Sequence, residues 1–185
     1  MAVDFRSVLA AAQRGEGWAF DALFVEWNRS ITSFVRQRGV RESDDLVNEI
    51  FLGAFRSIGS FRGGESDFRA WFFRIARNKI VDHHRRAGRQ PNTLPLETLG
   101  ADPSLLHVEA DVEQRLADEQ LIRLLGRLTD EQREVLLLRT VGDLTIDQIA
   151  KVMGKRRGAV KQLQRRAARR LETMLSAPDA GGDAR

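Results

Sequence analysis

An all-α fold of two small helical units is predicted by three features of this sequence. Apolar residues recur at three and four positions instead of two, alternating β-branched runs and tyrosine are missing, and three of the four prolines crowd into one stretch. A chain of 185 residues, 42% of them apolar, holds one ordinary domain or two small ones with modest cores. Pro91, Pro95 and Pro103 fall in 87–110, which lacks helical periodicity and reads as a flexible linker. It separates a unit over 1–86 from a unit over 111–176, and the tail 177–185, with Gly181 and Gly182, is predicted to be disordered.

The first unit opens with a predicted helix from Phe5 to Arg14, which Gly15 and Gly17 interrupt before a longer one from Trp18 to about Arg38. Gly39 supplies the stop. Ser43 is placed to cap the next helix, whose first turn carries Asp44 and Asp45 at the positive end of the helix dipole. Leu46, Val47, Ile50, Phe51, Ala54, Phe55 and Ile58 mark its buried face. After a loop at Ser60–Glu65, Ser66 is read as the cap of a helix to Arg86 that carries Phe68, Trp71, Phe72, Ile75 and Ile80 at helical spacing. Four such helices bury their stripes by packing as a bundle. In the second unit a helix is predicted from Asp111 to Leu125. Two capping boxes, Thr129 with Gln132 and Thr145 with Gln148, then open helices over Asp130–Val141 and Ile146–Val152. Gly154 marks a short turn before the last helix, Arg157–Leu175.

Composition removes several classes of function. The absence of cysteine excludes disulfide frameworks, thiolate zinc sites, iron–sulfur clusters and thiol nucleophiles. His83 and His84 are adjacent and point to different sides of one helix, and His107 lies near the linker, so no metal site is expected. Asp44, Asp45 and Glu49 are explained by the helix dipole and by solvation better than as an acid–base cluster, and no phosphate-binding glycine motif is present. The chain is therefore expected to be neither an enzyme nor a cofactor carrier. It also lacks a charged-then-apolar leader and any run of about 18 apolar residues, which predicts a cytoplasmic protein without membrane insertion.

Charge is distributed unevenly. The net charge is only +4, yet nine basic residues and no acidic one lie between Lys151 and Arg170. On the last helix Val160, Leu163, Ala167, Leu171 and Met174 share one face. Lys161, Arg165 and Arg169 form one row on the other side, with Gln162, Arg166 and Arg170 in the adjacent row. A short capped helix, a glycine turn and such a helix make a helix-turn-helix, whose second member enters the major groove. Arg and Lys match guanine O6 and N7, and Gln matches adenine N6 and N7. A solvated face, a membrane-surface helix or a partner-binding helix would carry the same pattern. The second signal runs from Phe61 to Lys79, where aromatics interleave with cations: rings accept unstacked bases and paired glycines admit a close backbone. The same stripe also suits a core.

These segments resemble a known family. Asp44-Asp45-Leu46-Val47-Asn48-Glu49-Ile50-Phe51, Phe61-Arg62-Gly63, Ala70-Trp71-Phe72-Phe73-Arg74-Ile75-Ala76-Arg77-Asn78 and Asp82-His83-His84-Arg85-Arg86 are similar to region 2 of extracytoplasmic-function (ECF) sigma factors of the sigma-70 family. Arg133-Glu134-Val135-Leu136-Leu137-Leu138-Arg139, Ile149-Ala150 and Gly158-Ala159-Val160-Lys161 are similar to region 4. The resemblance implies a bacterial transcription initiation factor that binds core RNA polymerase, through the clamp helices of the beta-prime subunit and the flap of the beta subunit, and directs it to promoter DNA. It assigns minus-thirty-five recognition to Arg157, Lys161, Gln162, Arg165 and Arg166. Capture of the melted minus-ten element falls to Phe61, Arg62, Gly63, Gly64 and Phe68, with Arg77, Asn78 and Lys79 near its upstream edge. Polymerase contact falls to Asp44, Asp45, Asn48 and Glu49, the linker is implied to thread toward the active-centre cleft, and an anti-sigma factor is an expected partner. Lys155-Arg156-Arg157 stands where the family more often has an apolar residue, a proline and an acid, which predicts firmer phosphate binding and looser sequence preference. The rival reading is a helix-turn-helix regulator that never joins polymerase.

Overall fold

The computed structural model describes residues 4–40, 43–88 and 124–176. Nearly all of the predicted linker, most of the predicted helix Asp111–Leu125 and the predicted tail lie outside the described residues. Those described form α1 (Phe5–Gln13), α2 (Gly17–Gln37), α3 (Ser43–Ser57), a 3-10 turn at Ile58–Ser60, α4 (Glu65–Arg86), α5 (Asp130–Thr140), α6 (Ile146–Met153) and α7 (Arg157–Ser176), with no strand among them. Boundaries fall within a few residues of those the periodicity predicts.

In the first unit each helix is held by one stripe. Ala19, Leu23, Trp27, Ile31, Phe34 and Val35 of α2 are buried against Leu46, Val47, Ile50, Phe51 and Ala54 of α3 and Phe68, Phe72, Phe73, Ala76 and Ile80 of α4. Aromatic edges interlock there: Phe34 meets Phe73 at a centroid distance of 5.2 Å and Phe51 meets Phe72 at 5.1 Å, both edge to face. Gly39, at φ +77°, follows α2 as the stop the sequence predicts. From α1, the Gln13 amide donates to the carbonyls of Ile58 and Phe61, which moors the α3–α4 connection.

Two predicted caps are corrected. Ser43 stands inside α3, buried, and its hydroxyl accepts from Arg36 Nε at 3.1 Å. Ser66 lies inside α4, where Gly64 is the N-cap and its N–H donates to the Asp67 carboxylate at 3.3 Å. The cause is Gly63: its φ of +148° turns the chain two residues early, and a Cβ there would meet Asp67 Cβ at 2.7 Å.

In the second unit both predicted capping boxes form. The Thr129 and Thr145 hydroxyls each accept from the backbone N–H three residues on, while Gln132 and Gln148 reach back to the cap N–H. Gly154 takes the left-handed conformation between α6 and α7. Arg133 is buried under this unit, where it donates to the carbonyls of Leu125, Gly126 and Leu128 and so satisfies the end of the helical turn at 124–126.

The units are docked, which the sequence does not announce. α6 packs on α4, and the end of α2 approaches α5. Arg38, only 2% exposed, pairs with the Asp130 carboxylate at 2.8 Å and faces Glu134 at 3.7 Å, while Arg77 of α4 pairs with the other oxygen of Glu134. His84 Nε2 donates to the Arg38 carbonyl at 3.2 Å, and this fixes the C-terminal end of α2.

Two outcomes are expected. Gly63→Ala should lower the unfolding free energy by about 1–3 kcal/mol through backbone strain and the Asp67 clash, measured by urea denaturation. Burial pushes the His84 imidazole below its ordinary value of 6.5, against the opposing pull of its hydrogen bond to Arg38. Below pH 6.5 the unfolded chain therefore takes up a proton that the folded chain resists, so this contribution to stability is complete above 6.5 and declines as the pH falls. His84→Gln, which keeps a donor, should flatten that decline in thermal melts.

Candidate nucleic-acid interface

The helix-turn-helix divides α7 lengthwise. Val160 and Ala167 are buried, and Leu163, Leu171 and Met174 are half-buried on the side that packs against α5 and α6. Lys161, Gln162, Arg165, Arg166, Arg169 and Arg170 are all exposed on the other side. An unbroken cationic strip with an amide donor thus faces outward, held by a helix whose inner side is fixed, so its side chains can be presented to a groove without reorganising the core. The added cations of the turn are partly engaged: Lys155 pairs with Glu131 at 2.7 Å and Arg157 with Asp147 at 3.3 Å. Both pairs lie near the surface, are weakened by salt, and can yield to a phosphate.

The loop before α4 is built differently from a stack of free rings. Phe61 and Phe68 are 6% and 1% exposed and pack on each other and on Trp71 at centroid distances of 5.2–5.4 Å. What reaches solvent is Arg62, Gly63 and Gly64, carried on that aromatic base. The Arg62 guanidinium donates to the carbonyls of Gly59 and Phe61, and it is thereby held over the loop. Farther along α4, Asn78 is exposed, Lys79 pairs with Glu49 of α3 at 3.0 Å, and Arg77 is occupied by Glu134. That hydrogen bond from Lys79 holds the Glu49 carboxyl below the usual carboxylate range.

On α3, Asp44, Asp45, Asn48 and Glu49 are exposed opposite the apolar stripe. Leu52 extends the same face and is also exposed, a residue that the sequence reading left unmarked. Its position follows from Asp45, Asn48 and Glu49 by helical spacing, so the signal was there. The interface residues Arg38, Asp130 and Glu134 were also unmarked, because nothing in the sequence indicates which cation a distant carboxylate will meet. Of the three histidines, His84 is buried against α2, His107 lies outside the described residues, and no metal-binding group of three is found among the described residues.

Two helical units, one ended by a helix-turn-helix with a cationic outer strip, define a modular protein of the helix-turn-helix class. The model of Sigma-70 region 2 matches residues 23–90, and that of Sigma-70, region 4 matches 118–171. The chain is 36% identical over 166 residues to the ECF RNA polymerase sigma factor BldN of Streptomyces coelicolor, a match that covers 89% of this chain and 63% of that one. It is 33% identical over 178 residues to the ECF RNA polymerase sigma factor SigM of Mycobacterium tuberculosis, covering 94% and 86%. Among solved structures, CnrH in complex with the cytosolic domain of CnrY is similar at a TM-score of 0.68 and 27% identity, over 94% of this chain and 98% of that one. The chain belongs to the ECF sigma factors of the sigma-70 family. No helix among the described residues is long and apolar enough to cross a membrane.

Because Lys161 and Arg166 are exposed on α7, replacing either with alanine should leave the melting temperature unchanged. Each substitution should reduce the salt dependence of duplex DNA binding by about one unit of log–log slope, read by fluorescence anisotropy over a KCl series.

Proposed function

We propose that this chain is the promoter-selecting subunit of a bacterial RNA polymerase, joining the core enzyme and directing it to defined start sites. The observation that carries this reading is the succession of a region 2 match and a region 4 match in one chain, with the cationic strip of α7 on the second. The proposed domains are region 2 over 1–86, a linker over 87–110 and region 4 over 111–176. In this reading Lys161, Gln162, Arg165 and Arg166, with Arg157 at the helix start, read the minus-thirty-five element in the major groove. Arg62, Gly63 and Gly64 then receive bases of the melted minus-ten element, and Phe61 and Phe68 act by shaping that loop from beneath. Arg77, Asn78 and Lys79 hold its upstream edge. Neither module melts DNA alone; polymerase sets their separation, and capture biases opened bases against re-stacking. Asp44, Asp45, Asn48 and Glu49 meet the clamp helices of the beta-prime subunit, and region 4 meets the flap of the beta subunit. An anti-sigma factor is the proposed inhibitor, a view supported by the likeness to CnrH, which was solved in complex with the cytosolic domain of CnrY. The site of action is the cytoplasm, and the role involves no catalysis and no cofactor.

Run-off transcription with purified core polymerase on a promoter library tests this directly: defined start sites that depend on the chain are expected, and their absence would reject the reading. Asp45→Arg combined with Glu49→Arg should abolish copurification with core polymerase while circular dichroism stays unchanged, since both side chains are exposed.

A further inference from the structure

The loop that the proposed function gives to melted DNA is tethered at both ends. Gln13, the last residue of α1, spans the turn before it: its amide donates to the Ile58 carbonyl at 3.0 Å and to the Phe61 carbonyl at 2.9 Å. Those two residues are already joined by the hydrogen bond from the Phe61 N–H to Ile58, so one side chain clasps both ends of the turn. At the far end of the loop the Gly64 N–H is held by the Asp67 carboxylate. Between the tethers lie Arg62, Gly63 and Gly64, and adjacent glycines lose the most freedom when a chain is ordered. The clasp has a firm base. Phe5 of α1 packs on Phe68 at a centroid distance of 5.3 Å, and just beyond Gln13 the Glu16 N–H closes onto the Ala11 carbonyl while its carboxylate accepts from Arg14 and Trp18.

The Phe61 carbonyl serves a second donor. It accepts from Gln13 and, at 2.7 Å, from Nη1 of Arg62, which also donates to the Gly59 carbonyl. Both bonds of the guanidinium thus use one nitrogen. Nε and Nη2, the parallel pair that can grip two oxygens of a phosphate, have no partner among the described residues, and the side chain is exposed. We infer that Gln13 is a positioning residue for melted-strand capture, acting through the Phe61 carbonyl to hold the Arg62 fork and the two glycines in order for a phosphate of the unpaired strand. The inference rests on the sigma-factor reading for the strand that is captured, but not for the ordering of the loop. A loop already set in its bound form gives up less freedom when the strand arrives.

Gln13 is itself exposed, so Gln13→Met removes the donor without opening the core. In the free chain, nitrogen-15 order parameters at Arg62, Gly63 and Gly64 should fall toward about 0.6 in this variant, with the melting temperature unchanged. The second arm uses holoenzyme on a promoter fragment recovered by run-off transcription, left non-complementary across its minus-ten element and carrying 2-aminopurine there. Gln13→Met should weaken that complex about fivefold, the worth of a hydrogen bond made before binding, and leave copurification with core polymerase intact. Its salt dependence should stay native, because the phosphate is still gripped once bound, whereas Arg62→Ala should lower the log–log slope by about 0.7. Gln13→Glu, the same shape with acceptors for donors, should match the methionine variant and decides the matter should that one fail to fold. Order parameters unmoved by either variant, native affinity for the unpaired fragment, or an equal loss of core-polymerase binding would each overturn the inference. The order parameters need no polymerase, so a loosened loop in a chain that yields no start sites strikes the sigma-factor reading instead.

Discussion

A buried charge has to be paired, and here one carboxylate answers for two cations. Glu134 projects from α5 between Arg77 of α4 and Arg38 at the end of α2, and it is almost without solvent contact. Removing it would leave Arg77 without this partner and the buried Arg38 with Asp130 alone. Much of the arrangement follows from this. The end of α2 is set where Arg38 can reach Asp130, His84 takes the carbonyl that this placement presents, and α5 is oriented by its own first turns. Apolar packing then fills the remainder, and one continuous cluster runs from α1 through to Val160.

The elements were legible in the sequence wherever their cause was local. Thr129 and Thr145 announce helix starts because the partner glutamine lies three residues on, and Gly39 announces a stop because few other residues enter the left-handed region without strain. Ser66 misled because serine is the better cap in general, while a glycine turn just before it had already fixed the entry of the chain. The docking was not legible. Arg38 and Asp130 are 92 residues apart, and no periodicity links them.

The candidate site was legible in part for a related reason. On α7, charge and apolarity alternate at helical spacing, so which side faces out can be counted from the residues. For Phe61 and Phe68 the sequence offers one pattern for two arrangements, since a base-stacking platform and a core both call for aromatic rings at those steps. The structure puts the rings beneath and the glycines above, making a firm floor under an exposed loop. Leu52 was missed on α3 because an apolar residue among acids attracts less notice than the acids do.

Asp143 bears on how such a contact is tuned. It sits in the α5–α6 turn with a positive φ of 48°, next to a glycine where any Cβ would strike the Leu138 carbonyl, and it offers its carboxylate to Arg69. Only glycine, asparagine and aspartate enter that backbone geometry readily. The turn can accordingly pass among those three residues at little expense to the fold while the grip on Arg69 is kept or lost, so drift at a single codon would set how readily the two halves part.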